Sequence, residues 1–241
     1  MKIGVISDIH SNFIALDKVL KEFEKEKVNK IICCGDLIGI GPYPEETMQL
    51  IMKNKKKMII VQGNHERYLI NGLPTEVHND KRNMGEEEIK NHQWTHKKLS
   101  LESINFIKEL PLYQNIEIEN KKVYVIHYPM DKDRKFVKFL NKPSKEENEK
   151  LFREIDADIY IYGHTHTKNI VESNNKIYIN PGSLGCPKDT NKANYGLLII
   201  NSEIKYYQFN VEYDVKQVKK DMENKNIPFS NKILEIFYKE N

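Results

Sequence analysis

Cysteine is scarce in this chain: three residues among 241, with Cys33 and Cys34 adjacent in an apolar run and Cys186 alone. There is no even framework and no Cys-x-x-Cys pair, which excludes a disulfide scaffold and a zinc knuckle. The expectation is reduced thiols in a cytoplasmic setting. No apolar run approaches the ~18 residues of a membrane span, and residues 1–6 read as a strand rather than a signal peptide. An excess of charge is missing too. The 38 Lys and Arg against 35 Asp and Glu leave +3, too little to imply a nucleic-acid or anionic-membrane partner. The lysines of residues 53–57 read as a solvated helix end. Repeats and low-complexity tracts are absent, and the oligomeric state is left open. The length suits one α/β domain spanning residues 1–241.

What is present begins with alternation of strand and helix. Residues 2–7 read as a buried strand. Ser11 or Asn12 then caps a helix that carries Leu16, Val19, Leu20 and Phe23 on one face. Residues 30–34, a helix at 45–53 and a strand at 57–61 complete a β-α-β-α-β pattern, which argues for a parallel sheet with right-handed crossovers. Residues 72–110 hold no strand candidate and read as a helical insert, with helices at 86–99 and 101–110, the second stopped by Pro111. Strands follow at 113–119 and 122–126, a charged helix at 145–155, then strands at 159–162, 168–172, 177–179, 195–200 and 203–211. Two short amphipathic helices parted near Pro228 close the chain.

Residues of the types that ligate metals stand just past predicted strands. Asp8 and His10 follow the first, Asp36 the second, Asn64 and His65 the third; His127 ends a fourth, and His164 and His166 follow a fifth. In open α/β sheets that edge is where sites assemble. Of eight histidines, only His78, His92 and His96 fall elsewhere, in the insert. His92 and His96, at i and i+4 with no Glu after His92, lack the zinc-protease pattern and read as surface or cleft-lining. Pro181-Gly182-Ser183 reads as a turn after a strand rather than a nucleophile elbow. Mixed Asp, His and Asn donors without thiolate suit two hard-to-borderline divalent ions. Two ions about 3.5–4 Å apart can share a water and lower its pKa from ~15.7 towards ~7. They also neutralise charge on phosphoryl oxygens, so the pattern reads as a two-metal hydrolase.

Asp8-x-His10, Gly35-Asp36, Gly63-Asn64-His65-Glu66, His127 and Gly163-His164-Thr165-His166 resemble, in order, the motif series of the calcineurin-like metallophosphoesterases. Asn180-Pro181-Gly182-Ser183 resembles a segment of their small bacterial members. The resemblance implies a four-layer αββα sandwich of two mixed β-sheets flanked by helices. It implies one ion held by Asp8, His10, Asp36 and His166, and another by Asp36, Asn64, His127 and His164, with Asp36 bridging. His65 is then the non-ligand acid or phosphate-contacting residue, and Glu66 orients its motif. The implied cofactors are two divalent transition-metal ions (Mn, Fe, Co, Ni or Zn, with Mn favoured). The implied substrate is a small phosphate ester or anhydride, such as a nucleotide or dinucleoside polyphosphate. A phosphodiesterase or nuclease on the same site is the alternative, and a non-catalytic metal-binding scaffold a further one. Two departures stand out. Protein Ser/Thr phosphatases of this superfamily carry an Arg soon after the second-motif Asp, where this chain has Leu-Ile-Gly-Ile-Gly. Tyr128 replaces the Gly often found after the fourth-motif His. The helical insert and residues such as Asn12, Tyr43 and Tyr128 are expected to shape the pocket and set the substrate.

Overall fold

The computed structural model describes residues 1–74, 76–77, 82–188 and 190–238. Strand β1 (Lys2–Ile6) leads to helix α1 (Phe13–Lys25), whose first turn is capped by Asn12 accepting from the Ala15 N–H. Then come β2 (Lys30–Cys33), α2 (Pro44–Asn54), β3 (Met58–Ile60) and α3 (Asn64–Asn71). β1, β2 and β3 pair in parallel, with Val5 opposite Ile32 and Ile32 opposite Ile59. Alternation sorts their side chains: Ile31 and Cys33 face α1 and α2, while Ile32 and Cys34 face the other way, into a second core.

The stretch after α3 differs from expectation. It contains a short antiparallel pair, β4 (Glu76–Val77) and β5 (Arg82–Asn83), where the sequence offers no strand candidate. Two-residue strands carry too few positions for a period-2 pattern to register. His78 lies outside the described residues. Helices α4 (Glu86–Lys98) and α5 (Leu101–Glu109) then pack against α2, and α5 against α3 as well.

β6 (Tyr113–Ile118), β7 (Lys121–Ile126), β8 (Ile159–Ile161), β9 (Asn169–Ser173) and β10 (Lys176–Asn180) build a second sheet in the order β6-β7-β8-β10-β9. Left-handed Asn174 and Asn175 close the β9–β10 hairpin, the conformation that suits Asn in such turns. The charged helix α6 (Lys145–Leu151) stops short of the expected residue 155, with Phe152 at its C-cap turned into the aromatic core. β11 (Ala193–Ile200) and β12 (Ile204–Val211) return to the first sheet, completing the order β12-β11-β1-β2-β3. β11 runs antiparallel to β1, so both sheets are mixed.

Ile3, Val5, Ile32, Leu198 and Ile200 of the first sheet meet Val123, Val125, Ile159, Ile161 and Ile179 of the second in an aliphatic core. The second sheet turns Tyr124, Tyr160 and Tyr178 outward onto Phe152. The result is the expected αββα sandwich. Helices α7 (Val215–Asn224) and α8 (Ser230–Phe237) pack by themselves against Tyr43 and Cys186. No helix among the described residues is long and apolar enough to cross a membrane.

Candidate metal centre

Past the strand ends the backbone turns sharply, and it turns at the ligand-type residues themselves. Asp8, His10, Asp36, His164 and His166 all have left-handed φ, between 47 and 71°. Each such turn costs a non-glycine residue about 1 kcal/mol or more, and neighbouring loops hold them there. The N–H groups of Asp8, His10 and Ser11 donate to the carbonyls of Gly35, Asp36 and Leu37 at 2.9–3.0 Å. Glu66 does more: its buried carboxylate accepts from Gly63 (2.7 Å), Asp36 (2.9 Å), Leu37 (2.9 Å) and Ile38 (3.2 Å). One side chain therefore locks the second-strand and third-strand loops together. Ser183 Oγ donates to the Asp8 carbonyl, and Asn180 Nδ2 to Gly163 O and Thr165 Oγ1. At Gly163 a Cβ would strike Ser7 Oγ and Asp8 Oδ2.

The side chains converge in two groups within 4.8 Å: Asp8, His10 and His166, and Asp36, His127 and His164. His10 Nε2 and His166 Nε2 face each other at 2.9 Å, and both point towards Asp8 Oδ1 (3.9 and 3.6 Å). In the second group His127 Nε2 stands 3.0 Å from His164 Nδ1, 3.2 Å from Asn64 Oδ1 and 3.3 Å from Asp36 Oδ2. Asp36 Oδ2 is also 3.7 Å from His10 Nε2, so it joins the two groups.

This arrangement fits cations. His166 Nδ1 donates to Cys186 O and His127 Nδ1 to Cys34 O, while His10 Nδ1 faces Ile38 O. With protons on Nδ1, the Nε2 lone pairs of His10 and His166 point at each other, an arrangement that repels unless a cation lies between them. Ligand nitrogens about 2.0–2.1 Å from one ion stand about 3 Å apart when adjacent, the spacing seen in both groups. Burial pushes His10 and His166 down to about 4, so both imidazoles are neutral and ready to ligate. The carboxylates of Asp8 and Asp36 are essentially inaccessible, a costly state without positive charge beside them. Burial raises Asp8; burial also acts on Asp36, but it is opposed chiefly by His127, and that carboxyl lies well below its usual range.

His65 sits at the start of α3, its backbone N–H donating to Asp36 Oδ1 at 3.0 Å. Its Nδ1 is buried and bonded to no protein atom, and its Nε2 is 3.9 Å from Asp36 Oδ2. It forms a third grouping with His10 and Asp36.

All eight residues read from the strand ends thus meet in one place. A cavity of about 460 Å³ opens over them. His92 lines it, its ring 4.9 Å from that of His65. The three residues expected to shape the pocket are occupied elsewhere. Asn12 caps α1 and bonds Gly185 O; the Tyr43 hydroxyl donates to Asp221; Tyr128 is fully buried, packed against His164 and the outer aromatic core. The sequence reading missed Phe139, Lys188 and the face of α8, which line the cavity. Only the amphipathic pattern of α8 hinted at an unassigned apolar face.

A mixed αββα sandwich with buried Asp and His clusters at its strand ends is the architecture of a metallohydrolase. The chain belongs to the calcineurin-like phosphoesterase superfamily, whose domain matches residues 1–203. It is 31% identical to the uncharacterized protein MJ0912 of Methanocaldococcus jannaschii, over 94% of this chain and 93% of that one. It is 22% identical to the phosphodiesterase YfcE of Escherichia coli, over 82% of this chain and 87% of that protein. The hypothetical protein PH1004 of Pyrococcus horikoshii shares the fold, with a TM-score of 0.82 at 20% identity over 98% of this chain and 97% of that one. The protein is a hydrolase of this superfamily, with Asp and His clusters suited to divalent metal ions.

Proposed function

We propose that the protein is a dinuclear metal-dependent phosphoesterase, one catalytic domain over its whole length, acting on a small substrate such as a nucleotide or dinucleoside polyphosphate. The observation that carries this reading is the pair of buried ligand groups joined by Asp36, with His65 beside them on the cavity floor. Asp8, His10, Asp36 and His166 would hold one ion, and Asp36, Asn64, His127 and His164 the other. Bound there, two such ions would supply hydroxide at neutral pH and would neutralise charge developing on phosphoryl oxygens. Asp36, whose Oδ2 reaches both ligand groups, would serve both ions. The N-terminus of α3 directs its dipole at the same point, which favours an anion. Burial outweighs the raising effect of Asp36 and holds His65 well below its usual range. It therefore enters the reaction neutral, with one N–H to donate to the phosphoryl or leaving oxygen. The phosphodiesterase name of the Escherichia coli relative supports a diester substrate. Donors without thiolate support manganese as the preferred ion, and three buried free cysteines support a reducing, cytoplasmic compartment.

His65→Ala tests the assignment. It should keep both ions by metal analysis while slowing turnover of bis(p-nitrophenyl) phosphate by about 10²–10⁴. Loss of an ion would make His65 a ligand instead. A wild-type protein carrying two ions that hydrolyses neither this diester nor p-nitrophenyl phosphate would overturn the reading in favour of a scaffold.

A further inference from the structure

The superfamily match ends at residue 203, yet the cavity does not. Its outer wall is α8 with the residue before it: Phe229, Ile233, Ile236 and Phe237 all line it, joined by Ile40 from the second-strand loop. Phe237 lies with its ring 5.4 Å from that of His166, at 33°. The wall therefore begins beside the metal cluster and runs outward from it. Ile236 is 40% exposed, an apolar side chain kept in water at the mouth of a site. Phe229 holds a left-handed φ of 68°, rare for an aromatic residue and unfavourable.

The wall is also tied to the metal-bearing loops at both ends. Asn91 bridges its start: Asn91 Nδ2 donates to Pro228 O at 3.0 Å, while its Oδ1 accepts from the Ile40 N–H at 3.3 Å. Tyr238 anchors its end, donating to Gly185 O at 2.8 Å. The adjacent Cys186 carbonyl is the one that orients His166. Position and orientation of the wall are thus referenced to the site itself. Lys188 and Lys232 stand at its rim. An apolar, partly aromatic wall with a few polar groups converging on it, in a cavity of about 460 Å³, is how small-molecule sites are built.

We propose that α8 is the wall that selects the ester group of the substrate, and that it takes a planar aromatic group, an aryl ring or a nucleobase, while the phosphorus sits at the metal cluster. The inference rests on the phosphoesterase reading for where the phosphoryl group lies. Two aromatic side chains in the wall favour a flat ring through offset or edge contacts, and the remaining aliphatic carbons cover its face.

Binding rather than turnover tests this. Metal-loaded protein is titrated calorimetrically with methyl-, phenyl- and hexylphosphonate. Phenylphosphonate should bind at least about tenfold tighter than methylphosphonate, the scale expected for burying one ring, and tighter than hexylphosphonate. Phe237→Ala and, at the exposed position, Ile236→Ser should each cut the phenyl-to-methyl ratio about threefold or more. Ile236→Ser removes no core side chain, so it reads the wall even where Phe237→Ala disturbs folding. No phenyl preference in the wild type, a ratio untouched by both variants, or tightest binding of the hexyl chain would overturn the wall proposal. Failure of methylphosphonate to bind at all would overturn the phosphoesterase reading, and the wall with it.

Discussion

Adding one methyl group at Gly39 should remove most of the activity without touching a ligand or emptying the site. Gly39 has φ +85°, and a Cβ there would overlap the His65 ring at Nδ1, Cε1 and Cγ. Ala at this φ costs about 1 kcal/mol in backbone strain. The larger effect is on position. The methyl and ring need van der Waals separation, so His65 must move by about 1 Å or more, and displacements of that size cost about 10² in rate. The three atoms nearest that Cβ all belong to the His65 ring, so metal content should stay unchanged. We therefore expect Gly39→Ala to retain two ions, lose about 1–3 kcal/mol of stability in urea denaturation, and turn over bis(p-nitrophenyl) phosphate about 10²-fold more slowly. The decisive measurement is a double-mutant cycle. In a His65→Ala background the Gly39→Ala change should cost almost nothing further, because its effect runs through the missing ring. Additive losses, or a Gly39→Ala enzyme within threefold of wild type, would refute the reasoning.

Asp36→Asn should lose both ions in metal analysis, since one carboxylate serves both groups. Glu66→Ala should strand four buried N–H donors, with a stability loss of at least about 3 kcal/mol and metal affinity about 10–100-fold weaker. The metal-free protein should release a proton as it loads. Burial pulls His127 down, but Asp36 outweighs it and lifts the imidazole to about 9. At neutral pH an incoming ion must displace that proton, so affinity should climb about tenfold per unit between about pH 6 and pH 8, then level off near 9. Competition with a chelator across that range measures the slope, and a flat profile would contradict the assignment.

Much of the site was legible in the linear order because its parts obey local rules. Buried strands of about five residues end in turns, and the sheet edge collects whatever stands there. Five strand ends carrying Asp, His and Asn therefore announced the cluster before any contact was known, and alternating strands and helices announced the parallel β1–β2–β3 part of the first sheet. The β4–β5 pair was not legible, because two residues carry no period.

The pocket above the cluster obeys no local rule. Tyr128 looked like a wall of the site and is buried behind His164; Tyr43 is spent on Asp221. Phe237, marked locally only by the amphipathic pattern of α8, stands beside His166. The sequence by itself determined which side chains could bind metal and, through strand periodicity, that they share one edge. Tertiary structure alone decided how close they come, which atoms of Asp36 and His127 meet, and which distant helix closes over them. Ligand identity is written residue by residue, whereas the shape of a cavity depends on contacts between distant segments, such as Asn91 with Pro228, 137 residues apart, and Asn12 with Tyr213, 201 residues apart. No local pattern in the chain encodes those contacts.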